Sequence, residues 1–267
     1  MNSNPKNEAS RGREANKQRR RLLKLAALGG ATAIASPWTF QSTRSAPRLV
    51  KIGMVSPETG PIAAFGEADQ FVLAGVRKAI GEGIIIAGEK HPVQIIYKDS
   101  QSNPNRAAEV TAQLINNDKV DLVIGSSTSD TVIPVSDQCE LAGVPCVTSD
   151  DPWQIWFFGR KGDPKKGFEW TYHFFWGLDQ LGDVFADMWL SMPSTNRVLG
   201  TLWSNEGDGV NANEHLPDFF KSRGFEVHNL GLYNNNADDF SAQIADLKKL
   251  NCEIVSGVFT PPEFGIF

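Results

Sequence analysis

The sequence predicts an α/β fold built as two parallel-sheet lobes. Two features of it predict this. Short apolar runs alternate with helical stripes in repeated strand–helix units, the pattern of right-handed parallel sheets. That pattern breaks once, after Pro152, where ten of the chain's 26 aromatic residues fall between 153 and 176, and then resumes. The break divides the chain into a first lobe over 49–152, an aromatic link over 153–177 and a second lobe over 178–267. With 267 residues, 41% hydrophobic and 21% charged, the chain has the material for two cores and is not wholesale disordered.

In the first lobe, Leu49–Val55 reads as a strand that ends in the turn Ser56-Pro57-Glu58-Thr59-Gly60-Pro61. Val72, Val76, Ala79 and Ile80 then share one helical face. Val93–Tyr97 is the next strand. Asn103 caps a helix with Pro104 at its first position and Ala107, Val110 and Leu114 as its stripe. Val120–Gly125 is nearly all apolar, as a strand buried on both faces should be. Thr131–Leu141 is the following helix and Val144–Thr148 the fourth strand. In the second lobe, Leu181, Val184, Phe185, Met188 and Trp189 make a helical stripe, and Val198–Trp203 is a strand followed by a polar turn over 204–209. A helix through Leu216, Phe219 and Phe220 ends near Gly224. Phe225–Leu230 is a strand, Asp238 or Asp239 caps a helix carrying Phe240, Ile244 and Leu247, and Glu253–Phe259 is the last strand.

Ahead of the lobes lies an address. Residues 1–21 are polar and basic, a short apolar run follows from Leu22, and Ala33-Ile34-Ala35 is a small-x-small cleavage pattern. The expected signal peptide is 1–35, with 36–48 as linker. Arg19-Arg20-Arg21-Leu22-Leu23-Lys24 resembles a twin-arginine export signal; the alternative is a basic tail before an amphipathic helix. Loss of 1–35 leaves 18 Lys and Arg against 29 Asp and Glu, so the exported chain carries −11 rather than −5. An acidic chain argues against a nucleic-acid partner, and the apolar run is too short to span a bilayer. The expected working place is the periplasm, where a Cys139–Cys146 disulfide is permitted but not required.

Three cysteines and four histidines show no metal-ligand spacing. No glycine-rich phosphate loop and no nucleophile elbow occur, so the sequence calls for no cofactor and no enzyme. What stands out is the placement of the polar turns. Ligands of doubly wound sheets bind at the carboxyl ends of strands. There the chain carries Ser56 and Phe65, then 125–130 with Ser127 and Ser129, then Ser149-Asp150-Asp151-Pro152-Trp153, and in the second lobe Trp203-Ser204-Asn205 and Thr260. A serine-rich turn opening a helix suits a carboxylate, though simple N-capping explains Ser126–Ser129 equally well. Asp150-Asp151 reads as a solvated turn or as a binding pair. Trp153 and Trp203 read as ligand walls or as packing, while Trp170–Trp176 read as hinge packing.

From about Leu49 onward the chain resembles the solute-binding proteins of ABC transporters for branched-chain amino acids, which have the type I periplasmic binding fold. The resemblance is carried by Lys51–Gly66, by Val123–Ser129, by Pro134-Val135-Ser136-Asp137 and by Asp239-Phe240-Ser241-Ala242, in that order over some 210 residues. It implies two lobes closing on a small ligand. It implies that Ser129 holds a ligand carboxylate and that Phe65 walls the pocket. The loop Ser149–Trp153 is bulkier and more acidic than the resemblance implies, and Thr260 stands where an aromatic contact is implied. The second lobe is expected to be incomplete, because the family crosses between lobes three times. The expected function is a periplasmic receptor that hands a small carboxylate-bearing ligand, amino acid-like or aromatic, to ABC transporter permease subunits. A ligand sensor on the same lobes and an exported α/β enzyme are the alternatives.

Overall fold

A computed structural model describes residues 47–267, and the expected signal peptide and most of the linker lie outside them. The first sheet begins with β1 (Val50–Ser56), followed by α1 (Asp69–Ile80) after a short 3-10 turn at Ala63–Gly66. Next come an antiparallel hairpin of β2 (Ile84–Ile86) and β3 (Glu89–His91), then β4 (Val93–Asp99) and α2 (Pro104–Gln113). The lobe continues through β5 (Leu122–Gly125), α3 (Ser129–Ala142), β6 (Cys146–Thr148), α4 (Trp153–Gly159) and β7 (Thr171–His173). Strand order is β4-β1-β5-β6-β7, all parallel. The second lobe runs α5 (Leu178–Leu190), β8 (Val198–Ser204), α6 (Gly207–Ser222), β9 (Glu226–Tyr233), α7 (Ser241–Lys249), β10 (Ile254–Val258) and α8 (Pro261–Ile266). Its sheet is β10-β8-β9, again parallel.

Local chemistry explains the helix starts. The Asn103 side chain accepts from the Arg106 N–H at 3.0 Å, with Pro104 needing no partner. For α7 the cap is shifted by one residue: Asp239 accepts from both the N–H and the hydroxyl of Ser241, while Phe240 holds the N-cap position. Val55, Val110, Leu114, Val123, Val135 and Cys146 build the first core. Trp189, Leu199, Trp203, Leu216, Phe220 and Phe225 build the second.

The aromatic segment is more than a link. Its first part is α4 and its last part is β7, the edge strand of the first sheet. Helix α4 reaches into both lobes. Trp156 donates its indole N–H to Ser136 of α3 at 2.8 Å, whereas its neighbour Ile155 belongs to the second core. Around it Arg160 lies 3.8 Å from the centroid of the Phe168 ring and pairs with Asp137, and His173 stacks on Trp156. The periodicity of a 3.6-residue stripe is illegible across so many consecutive aromatics, which hid α4 and β7 in the sequence.

Candidate functional site

The carboxyl ends of the strands converge on one cleft. A cavity of about 280 Å³ there is lined by first-lobe residues Phe65, Ser127, Asp150 and Pro152 and by second-lobe residues including Trp203, Asp208, Ala212 and Val258. Its remaining wall is Phe175, Trp176, Leu178, Leu181 and Phe185, at and after the crossover. A second cavity of about 500 Å³ shares only Leu178 and Leu216 with it and opens among α4, α5 and α6, away from the strand ends.

Of the residues the sequence picked out, Phe65, Ser127, Asp150 and Trp203 line the cleft cavity. Trp203 is 2% exposed and donates its indole N–H to Asn229 at 3.2 Å. Ser127 sits at φ +95°, and its buried hydroxyl has no hydrogen-bond partner. Asp150 is also left-handed, at φ +69°, and its Oδ2 accepts from the hydroxyls of Ser126 and Ser149 at 2.8 and 2.9 Å. Asp151 is fully buried just behind, its carbonyl accepting from His173 Nε2 at 2.6 Å. Ser149 touches the cleft only through Asp150. Trp153, Asn205 and Thr260 lie outside the cavity wall. Trp153 packs on Phe158, with its backbone N–H on the Trp176 carbonyl. Asn205 donates its backbone N–H to Tyr233, and Thr260 is the N-cap of α8.

Ser129 differs most from expectation. Its backbone N–H, at the N-terminus of α3, donates to Asp208 Oδ1 of the other lobe at 2.9 Å, and its hydroxyl lies beside the same carboxylate. Helix α6 starts directly opposite. Glu206 caps it, accepting from the N–H groups of Asp208 at 2.9 Å and Gly209 at 2.7 Å and from the Ser204 hydroxyl at 2.7 Å. Gly207 of α6 in turn lies beside the carboxylate of Asp130 on α3, which it helps to hold in the charged form against burial. The two helix N-termini thus meet across the cleft, joined by the Ser129–Asp208 hydrogen bond. A Cβ at 207 would collide with the Ser129 hydroxyl, so any larger residue there would have to push that side chain aside.

This arrangement gathers acids. Burial raises Asp130, and burial with the Asp208 charge raises Asp151 and Glu206 well above the carboxylate range, the latter to about 7. Burial also lifts Asp208 to about 6 against the hydrogen bond from the Ser129 N–H. Neither carboxyl oxygen of Asp151 has a hydrogen-bond partner among the described residues, so nothing offsets its burial and the Asp208 charge nearby. No Lys or Arg lines the cavity among the described residues, nor do these include a cluster of ligands fit for a metal ion. The sequence had flagged the turn over 204–209 but singled out Asn205 in it. Asp208 is found only when α6 is seen to start opposite α3.

The sequence model of a periplasmic binding protein family matches residues 49–265, nearly the whole described chain. The chain belongs to the periplasmic binding protein family. Among this family's curated members, the leucine-, isoleucine-, valine-, threonine- and alanine-binding protein of Pseudomonas aeruginosa is 27% identical over 247 residues, covering 91% of this chain and 61% of that relative. In the solved structures, a leucine-binding protein from Thermotoga maritima superposes with a TM-score of 0.67 at 21% identity, over 81% of this chain and 58% of that one. A Rhodopseudomonas palustris solute-binding protein of an ABC transporter, solved with 3,4-dihydroxybenzoic acid, gives 0.62 at 20% identity over 79% and 54%. These likenesses establish the type I periplasmic binding fold. This binding-protein chain spans about three fifths of the length of those relatives.

Proposed function

We propose that this chain is the extracytoplasmic solute-binding component of an ABC transporter, exported by its twin-arginine-like signal, and that it holds a small solute with a flat apolar body between its lobes for delivery to the permease. The observation that carries the reading is the cleft cavity itself. It lies at the carboxyl ends of strands from both sheets, and aromatic side chains wall it on several sides. Phe65 from the first lobe and Trp203 from the second are placed to face the body of one ligand, each such aromatic contact adding roughly 0.5–1.5 kcal/mol beyond area burial.

An amino acid-like or aromatic acid ligand is supported by the names of relatives and neighbours. Against the carboxylate stands the α3 N-terminus, whose N–H is already taken by Asp208. The apolar body is therefore the better-supported half of the ligand description. The receptor role is tested in the host. Deleting the gene should abolish ATP-dependent uptake of whichever solute the purified chain binds, and supplying the gene again should restore it. Unchanged uptake in the deletion strain would refute the transporter role.

A further inference from the structure

We propose that the cleft selects a cationic amine carrying a flat apolar body, and that Asp208, together with Asp150, sets this choice. The proposal deepens the receptor reading above and rests on it.

The first ground is donor supply. An incoming carboxylate needs N–H donors at a helix start, and the leading N–H groups of α3 and α6 beside the cleft are directed at the protein's own carboxylates. The Ser129 N–H goes to Asp208 Oδ1, and the Asp208 and Gly209 N–H groups at the start of α6 go to Glu206. The second ground is acceptor supply. Asp208 and Asp150 both line the cavity. The two serine hydroxyls on Asp150 both donate to Oδ2, and Oδ1 takes no hydrogen bond from the described residues. Asp130, Asp151 and Glu206 stand behind them with no compensating cation in the wall. An anion placed here would meet like charges in a site of low dielectric, whereas an ammonium would be charge-paired.

Ser127 is the independent observation. Ser127 lines the cavity, and its buried hydroxyl has no hydrogen-bond partner among the described residues. It is held at a positive φ that a non-glycine residue seldom adopts, which is the kind of strain found at ligand clamps. A serine hydroxyl accepts from an ammonium as readily as it donates. Trp203, Trp176 and Phe65 in the same wall supply aromatic surface, which attracts cations as well as apolar bodies. The cavity volume of about 280 Å³ is at the small end of ligand sites and suits a compact arylalkylamine.

The test titrates the full chain, at near-neutral pH, with 2-phenylethylamine and with 3-phenylpropanoate, which share a ring and differ in charge, following tryptophan emission. The amine is expected to bind at least about tenfold more tightly. Asp208→Asn should weaken amine binding about tenfold or more and narrow the gap between the two probes, with circular dichroism confirming the fold. Asp150→Asn, in an exposed loop, should weaken the amine in the same direction, and it decides the matter if the Asp208 variant does not fold. Tighter binding of 3-phenylpropanoate to the wild type would overturn the inference and leave the receptor reading standing. So would unchanged amine affinity in a folded variant. Binding of neither probe would overturn the inference and also the assignment of this cleft as the receptor's ligand site.

Discussion

Replacing Asp208 by Asn should stabilise the protein, and the gain should depend on pH in a defined way. The side chain has two jobs in the structure. Its Oδ1 accepts from the Ser129 N–H at 2.9 Å, and its charge crowds Asp151, Glu206 and Asp130. Asparagine keeps the acceptor oxygen and removes the charge. Its amide N–H₂ also offers Asp151 a donor that it otherwise lacks. Asp208 is raised from its ordinary 3.8 to about 6. Each tenfold change in proton affinity is about 1.4 kcal/mol, so the charged carboxylate costs the folded state on the order of 3 kcal/mol. The sign follows from linkage. A carboxyl raised by folding binds more protons in the native state, so the native state loses stability as pH rises from the unfolded value to the folded one. The advantage of Asp208→Asn should therefore be full near pH 8, shrink below about 6 and vanish near 4. His173, which burial pushes down, has the opposite pH dependence, but it is common to both proteins and cancels in the difference. For a domain of this size the gain corresponds to a melting point at least about 5 °C higher at pH 8. Thermal unfolding of both proteins at pH 4, 6 and 8, followed by circular dichroism, measures it. A variant less stable than wild type at pH 8, or a difference that does not change with pH, would refute the assignment of Asp208 as a strained, crowded carboxylate.

Other consequences follow from the same residues. Arg19→Lys with Arg20→Lys should leave precursor in the cytoplasm, measured by fractionation, and normal export would exclude the twin-arginine route. Phe220→Ala removes a fully buried ring packed on Trp189 and Phe225, and should cost about 3–5 kcal/mol in denaturant unfolding. Cys139 and Cys146 are free and buried, and the neighbouring Cys139 thiol, together with burial, pushes the Cys146 thiol far up. Iodoacetamide should therefore modify Cys252 first in the native, reduced protein, and rapid labelling of Cys146 would contradict the packing of α3 on β6.

Most of the fold was legible because most of its elements are regular. The apolar runs at Val93–Tyr97 and Val198–Trp203 have strand length and clear turn signals, and the structure places strands there. The Asn103–Pro104 start of α2 was legible for the same reason, since capping is local chemistry. The β2–β3 hairpin was not, because its strands are three residues each and its turn is Ala87-Gly88 rather than a standard Asn-Gly pair. The site divided along the same line. Ser127 and Asp150 come two residues after β5 and β6, Trp203 is the penultimate residue of β8 and Phe65 lies in the turn that follows β1, so the strand-end rule reached them. Trp176 and Phe175 were read as hinge packing, yet they wall the cavity, since which side of a crossover an aromatic faces depends on the lobe that packs against it. Asp208 was out of reach because its partner, Ser129, is 79 residues away.

The central claim is that the cleft between the lobes carries a small amine with an apolar body. Native mass spectrometry of the full chain, exported in its host and purified without dialysis, tests it most directly. The claim predicts a mass excess over the apo-protein that is released on denaturation and identified as a compact cationic amine, and that is lost from the Asp208→Asn variant. Release of an aromatic or aliphatic carboxylate from the wild type, with the same occupancy in the variant, would contradict it.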